Sequence, residues 1–288
     1  MRILKSIKKR LVLIDNIFFG SNVSRYFYLA YYNSKLLLIK CFKIKPLQSK
    51  RHDLDNKLIV SLTSYPLRFK TLPLVLNSIL NQSIRPDKII LNIEYSDKKK
   101  IPNSVLDFKN IEIKYIKNGL KAYGKIIPSL KKYSNIYIIT FDDDIIYSKK
   151  AIEYLVNKSK KNPDAVIANR IDKIKVIKNY PDRYQSWYPV YRKQTKYAFL
   201  TGVGGVLYPP NCFHKDVCNE KLFKKLSPLN DDVWLNWMVR LNSTKIIYSY
   251  PGKIYDDIKI LPLGLYAKNI TFTDKQVDNM IKKYGFPF

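Results

Sequence analysis

Glycine is scarce in this chain, at 9 of 288 residues, and histidine is scarcer, with only His52 and His214. Two histidines leave little from which to build a His-based zinc site or a Ser-His-Asp triad. The 3 cysteines, Cys41, Cys212 and Cys218, are odd in number and show no metal-ligand spacing. They fit reduced thiols in a cytosolic setting better than a disulfide framework. Negative charge is short too: 23 acidic residues stand against 52 basic ones, for a net charge of +29. No apolar run approaches the roughly 20 residues that a membrane span requires. Residues 11–19, LVLIDNIFF, follow a basic start as a signal peptide would. Asp15 breaks the run and no small-residue cleavage site follows, so export is not expected.

What the chain does have is apolar and aromatic bulk: 46% hydrophobic residues, with 23 Tyr and 13 Phe. At this length that is enough for a full core, which excludes a disordered chain. The positive charge is dominated by lysine and spread along the whole sequence. An excess of Lys, Ile, Asn and Tyr reads as the coding bias of an AT-rich genome, so no nucleic-acid partner is expected despite the charge. The basic density peaks in residues 1–57, with 13 basic and 3 acidic residues. There Leu4, Ile7, Leu11 and Ile14 share one helical face, with Lys5, Lys8 and Lys9 off it. This basic amphipathic extension either lies on an anionic membrane surface or docks onto the main domain, residues 58–288.

From Leu58 the pattern becomes regular. LIVSLT (58–63), KIILNIE (88–94), IEIKYI (111–116), NIYIITF (135–141) and DAVIAN (164–169) read as buried strands. Between them, Thr71 precedes a helix with Leu72, Val75, Leu76, Ile79 and Leu80 on one face, and a second helix runs from Ser148 to about Lys160. Alternating strands and helices predict βαβ units and a mainly parallel sheet. Near the C-terminus, Thr273 and Gln276 have capping-box spacing before a helix that stops at Gly285.

Seven of the 19 aspartates fall in three runs: Asp142–Asp144, Asp231-Asp232 and Asp256-Asp257. The first lies at the carboxyl end of a buried strand, where open α/β sheets gather their ligands. Such a run can hold a divalent cation, or simply turn the chain and cap the next helix. Asp231-Asp232 opens a helix, where one acid can cap while the other is free to accept a proton. TGVGG (201–205) concentrates three of the rare glycines. It is either a turn requiring positive φ or a place where the backbone approaches a ligand.

Taken together, VSLTSYPLRFKTLPLVLNSILNQSIRPDKIIL (60–91), IITFDDDIIY (138–147), TGVGGVLYPP (201–210) and LNDDVWLNWM (229–238) resemble a GT-A-type bacterial glycosyltransferase. The likeness is to the family-2-like group that builds surface polysaccharide or lipopolysaccharide, and it covers roughly residues 58–250. It implies an α/β GT-A (nucleotide-diphospho-sugar transferase) fold with a mainly parallel sheet flanked by helices, here with an N-terminal helical extension. It also implies a hexosyltransferase-like, inverting enzyme. FDDD would be the DXD motif, with Asp144 and Asp142 on Mn²⁺ or Mg²⁺. LNDDVW would supply the catalytic base, Asp232 in the usual position and Asp231 beside it. Thr63, Ser64, Arg68, Lys125 and Asp143 would seat the nucleotide, and Gly202, Gly204 and Gly205 would lie under the donor sugar or acceptor. The implied partners are a nucleotide-sugar donor, UDP favoured, and a glycan or polyprenyl-linked glycan acceptor. The implied location is cytoplasmic, peripheral on the inner face of the cell membrane.

Two other classes compete. A non-catalytic basic module for RNA or anionic membrane would leave the aspartate runs as solvated turns and gives no reason for TGVGG. A metal-dependent nucleotidyl- or phosphotransferase would also use aspartates. The sugar nucleotidyltransferases usually place a glycine-rich loop after the first strand, whereas this chain has SYPLRFK.

Overall fold

The computed structural model describes residues 49–190, 194–251, 255–259 and 266–288. The expected amphipathic helix near the N-terminus lies outside them. Contacts divide the chain into two units, Met1–Lys45 and Pro46–Phe288. Lys50 and Arg51 pair with Ile84 and Arg85 in a short parallel ladder. His52 Nε2 meets Asp87 Oδ2 at 2.7 Å, and the same oxygen accepts the Leu58 N–H, so this stretch is built into the second unit.

The strands that frame the site, in chain order, are β1 Leu58–Ser64, β2 Lys88–Glu94, β3 Glu112–Ile116, β4 Tyr137–Thr140, β5 Ile145–Tyr147, β6 Val166–Ala168, β7 Ile171–Lys173, β8 Ala198–Leu200, β9 Val206–Tyr208, β10 Ile246–Tyr248 and β11 Tyr255–Lys259. The helices that matter here are α1 Leu72–Leu80, α2 Ile127–Lys132, α3 Ala151–Lys160, α4 Glu220–Leu226, α5 Asp231–Leu241 and α6 Tyr266–Tyr284. Seven strands form the central sheet in the order β10-β6-β9-β4-β1-β2-β3. Four of its neighbour pairs are parallel, and only β9 runs against its neighbours. The five predicted strands are β1, β2, β3, β4 and β6, and the mainly parallel sheet is as expected.

β1 is LIVSLTS, buried along nearly its whole length, as a strand covered on both faces requires. On one face Ile59, Ile90 and Ile138 pack with Leu130 and Tyr133 of the α2 segment. The same side carries a second, larger cluster than this one, in which Val166, Ala168, Val206 and Tyr208 meet Trp234, Trp237 and Met238 of α5. On the other face α1 buries Leu72, Val75, Leu76 and Ile79, and α3 buries Ile152, Leu155 and Val156. These are the apolar stripes that 3.6-residue periodicity marks.

Two local expectations are corrected. α3 begins at Ala151 rather than Ser148, because Ile145–Tyr147 continue as β5 and pair with β11 before the chain turns. Thr71 occupies the cap position of α1 without capping it; its hydroxyl donates to the Arg68 carbonyl at 3.1 Å. The larger surprise is α6. It starts at Tyr266, so Thr273 and Gln276 lie inside the helix and do not form a capping box. Both are buried and turned onto the loop before α5. Gln276 Oε1 accepts the backbone N–H of Leu229 at 2.9 Å and of Asn230 at 3.1 Å, and Thr273 Oγ1 accepts from Asn230 Nδ2 at 3.1 Å. α6 thereby fixes the loop from which the Asp231-Asp232 pair starts.

Gln276→Leu keeps the volume and removes that acceptor, leaving the buried Asn230 N–H and the half-buried Leu229 N–H unsatisfied. Urea unfolding should show a loss of about 2–6 kcal/mol, from about 1–3 per orphaned group. A loss below about 0.5 kcal/mol, the range of an ordinary surface change, would show that α6 does not hold the loop.

Candidate active site

β4 ends at Thr140, and the next residues set the geometry. Phe141 is fully buried and stacks on Tyr147 at 3.9 Å between ring centroids. The turn Asp142–Asp144 follows, and the Asp142 N–H donates to the Tyr147 hydroxyl at 2.8 Å. Gly202 to Gly205 close over the same spot. A Cβ on Gly205, which has φ +96°, would lie 2.3 Å from the Phe141 ring, so only glycine fits between the loop and the strand end. Gly204 also has φ +96°, and its carbonyl accepts from Asn169 Nδ2 at 2.9 Å. The turn reading of TGVGG therefore holds for these two glycines. Gly202 is not among the positive-φ glycines, and its surroundings differ. A Cβ there would sit 2.9 Å from Lys125 Nζ, 3.2 Å from Asp232 Oδ1 and 3.5 Å from Asp142 Oδ1, in the middle of the charged groups.

Each acid in this cluster has a partner, and Asp142 and Asp231 share one. Arg68 Nη2 meets Asp144 Oδ2 at 3.1 Å. Ser64 Oγ donates to Asp143 Oδ2 at 2.5 Å. Lys125 Nζ lies 2.9 Å from Asp142 Oδ1 and 2.9 Å from Asp231 Oδ2. Both oxygens of Asp232 accept the Gly202 N–H, at 3.0 and 3.1 Å. Residues about ninety positions apart in sequence thus face one another across a single lysine.

The electrostatics follow from burial and crowding. Burial, followed by the Asp231 charge, pushes the Asp232 carboxyl up to about 7. Burial and the neighbouring Asp144 and Asp142 push Asp143 up to about 7 as well. Asp144 is raised by burial and by Asp142. Burial works against the Lys125 ammonium, but Asp142, Asp231 and Asp232 outweigh it and hold the lysine charged.

Among the expected nucleotide contacts, Ser64, Arg68, Asp143 and Lys125 join the cluster and Thr63 does not. The Thr63 hydroxyl donates to the Asn92 carbonyl at 2.9 Å and packs where a side chain on Gly124 would be. Arg68 is 4% exposed, and its Nε and Nη1 have no hydrogen-bond partner among the described residues, so its fork has donors to spare for a ligand. Sequence reasoning passed over three supporting residues. Asn236 accepts the Leu200 N–H at 2.9 Å and donates to the Leu200 and Asp232 carbonyls, which locks α5 to β8. Asn230 caps α5 by accepting the Val233 N–H at 3.3 Å. Tyr147 holds Asp142. The Asn-Asp-Asp run did contain an N-cap signal in Asn230, whereas nothing local distinguishes Asn236 or Tyr147.

Among the described residues no set of three or more His, Cys, Asp and Glu is grouped to hold a metal ion by itself. The charge balance nevertheless fits one. Five carboxylates face two basic groups, Arg68 and Lys125, and oxygen donors in surplus of counter-charge are what Mg²⁺ or Mn²⁺ takes. Asp144 and Asp142 are the pair whose mutual repulsion a cation would relieve.

Residues 65–223 match the family model for glycosyl transferase family 2. That span is more than half of the chain, and the chain belongs to this family. The match includes Arg68, Lys125, Asp142–Asp144 and Gly202–Gly205 and ends before Asp231. Its fold is that of the nucleotide-sugar transferases, and family members use nucleotide-sugar donors. No curated protein sequence matches the chain. Among solved structures it is similar to residues 1–349 of TarS from S. aureus, at 11% identity and TM-score 0.47, over 79% of this chain and 72% of that one. It is also similar to 4-diphosphocytidyl-2C-methyl-D-erythritol synthase from Anaerococcus prevotii, at 15% identity and TM-score 0.46, over 77% of this chain and 96% of that one.

Asp143 gives a stability test with a definite sign. Its folded carboxyl titrates near 7 against 3.8 for the ordinary side chain, so the folded state holds the proton more tightly. Its contribution is favourable at low pH and is lost as pH rises from about 4 through about 7. Asp143→Asn should therefore raise the Tm at pH 8 in metal-free buffer, and the gain should vanish by pH 4. An equal change at both pH values would contradict the raised carboxyl.

Proposed function

We propose that this protein transfers a sugar from a nucleotide-diphosphate sugar, a UDP-sugar first among them, to a glycan or polyprenyl-linked glycan acceptor, with inversion at the anomeric carbon. The observation that carries the reading is the convergence of Asp142 and Asp144 with Asp231 and Asp232 at the carboxyl edge of the sheet, around Lys125. One acidic centre suits a cation that would neutralise the leaving diphosphate, and the other suits an attacking hydroxyl. A non-catalytic basic module has no use for that arrangement.

Asp232 acts as the base. Its carboxylate takes the proton of the acceptor hydroxyl as that oxygen attacks the anomeric carbon. The bond from that carbon to the diphosphate breaks, and the electron pair leaves with the diphosphate. A base that titrates near 7 matches this task. The Gly202 N–H aims the carboxylate and fixes its two oxygens. Arg68, whose Nε and Nη1 have no hydrogen-bond partner among the described residues, pairs with the diphosphate or packs on the nucleotide base. Asp144 and Asp142 would hold Mg²⁺ or Mn²⁺, which when bound supplies positive charge to the leaving group. A role in surface polysaccharide or lipopolysaccharide assembly fits this chemistry. No helix among the described residues is long and apolar enough to cross a membrane. Attachment to the inner face of the cell membrane would rest on the basic residues 1–57.

Three outcomes are expected. Calorimetric titration of UDP should show binding that depends on Mn²⁺ and is lost in Asp144→Asn; metal-independent binding retained in that variant would remove Asp144 from the donor site. Asp232→Asn should leave UDP binding nearly intact and lower transfer by a factor on the order of 10²–10⁴; near-normal transfer would refute the base assignment. Vesicles rich in anionic lipid should capture the protein at low salt and release it as salt rises. Equal capture by neutral vesicles would argue against electrostatic docking.

A further inference from the structure

We propose that Lys125 assigns different roles to the two adjacent acids at the start of α5: it holds Asp231 as a fixed counter-ion and thereby reserves Asp232 for the acceptor's proton. The proposal rests on the function proposed above, and it replaces the reading of Lys125 as a nucleotide contact.

The geometry supports it in three ways. First, the ammonium is enclosed. Lys125 is 6% exposed, and its Nζ makes two contacts at 2.9 Å, one to Asp142 and one to Asp231. A lysine that grips a nucleotide phosphate needs its point charge presented to the ligand; this one hydrogen-bonds Asp142 and sets its charge 2.9 Å from Asp231 Oδ2. Second, its position is rigidly set. It ends the turn Lys121–Lys125, and a Cβ on the preceding Gly124 would lie 2.9 Å from both Ile116 Cδ1 and Thr63 Oγ1. The turn therefore packs directly on β1 and β3. Across the gap, the Cβ that Gly202 lacks would sit 2.9 Å from Nζ, so glycine there leaves room for the ammonium. Third, the contacts of the two acids differ. Lys125 Nζ lies 2.9 Å from Asp231 Oδ2, whereas Asp232 feels the ammonium only through its field, accepts the neutral Gly202 N–H and keeps its remaining lone pairs for a hydroxyl. Without the lysine, two neighbouring carboxylates on one helix turn would share a proton, and neither would be a defined base.

Lys125 is on this account a positioning residue that never touches the reacting atoms. The test compares wild type with Lys125→Met, Lys125→Gln and Lys125→Arg by steady-state kinetics and by calorimetric titration of UDP. The expected result is a kcat lower by a factor on the order of 10²–10³, with the UDP dissociation constant and the donor KM within about threefold. Lys125→Arg should fail to rescue kcat, because a guanidinium is too wide for the space beside Gly202. Adding Asp231→Asn to Lys125→Met should recover part of the lost kcat by removing the stranded carboxylate. UDP binding weakened tenfold or more with kcat preserved at saturation would overturn the proposal and return Lys125 to the nucleotide. Full activity in Lys125→Arg would overturn it too. If Lys125→Met does not fold, Lys125→Gln, which keeps donors without the charge, carries the same comparison. Wild-type turnover separates the two levels: a wild type that turns over no nucleotide sugar contradicts the function itself, whereas an active wild type with the second kinetic pattern contradicts only the role of Lys125.

Discussion

The Lys125 ammonium, held between Asp142 and Asp231, is the contact around which the rest of the site is arranged. It joins a turn that follows β4 to the first turn of α5, two segments that the backbone brings together only at the carboxyl edge of the sheet. A buried lysine of this kind is stable only while its carboxylates are in place, and they are tolerable only while it is charged. Much of the surrounding structure protects that mutual dependence. Gly124 lets the lysine-bearing turn lie flat on β1 and β3, Gly202 leaves space for Nζ, and Gln276 and Thr273 of α6 steady the loop that delivers Asp231.

The same crowding explains why the site costs stability. Asp143 and Asp232 are both pushed to about 7, so near neutral pH the fold holds carboxylates that it would prefer to protonate. A protein selected for stability alone would have replaced these residues with neutral ones. Their presence beside Arg68, whose Nε and Nη1 lack partners among the described residues, suits the charged ligand of the proposed reaction. In a family-2 glycosyltransferase that ligand is a nucleotide sugar, and the surplus of carboxylates suits an accompanying divalent cation.

Much of this was legible in the sequence because it was written locally. NIYIITFDDD announces a buried strand running into acids, and the structure places β4 and the Asp142–Asp144 turn there. The helical stripes of α1, α3 and α5 follow from spacing alone. What escaped was tertiary. Thr273 and Gln276 have the spacing of a capping box, but tertiary hydrogen bonds to the Asn230 loop claim both residues, and the helix extends past them. Ile145–Tyr147 is too short to declare itself a strand without its partner at Tyr255–Lys259. In a chain so rich in lysine, nothing local marks Lys125 as buried. Only the fold, by burying it against acids some seventeen and a hundred residues away, distinguishes it. Thr63, read from the loop position as a nucleotide contact, is turned instead to the neighbouring strand.

The proposed reaction turns on one chemical event: a hydroxyl deprotonated at Asp232 attacks the sugar from the face opposite the departing diphosphate. The most direct measurement is the anomeric configuration of the first-formed product, followed by proton NMR from a donor of known configuration. Single displacement predicts a product of opposite configuration from its first appearance. A product that keeps the donor's configuration would contradict the assignment of Asp232 as the base of a one-step transfer.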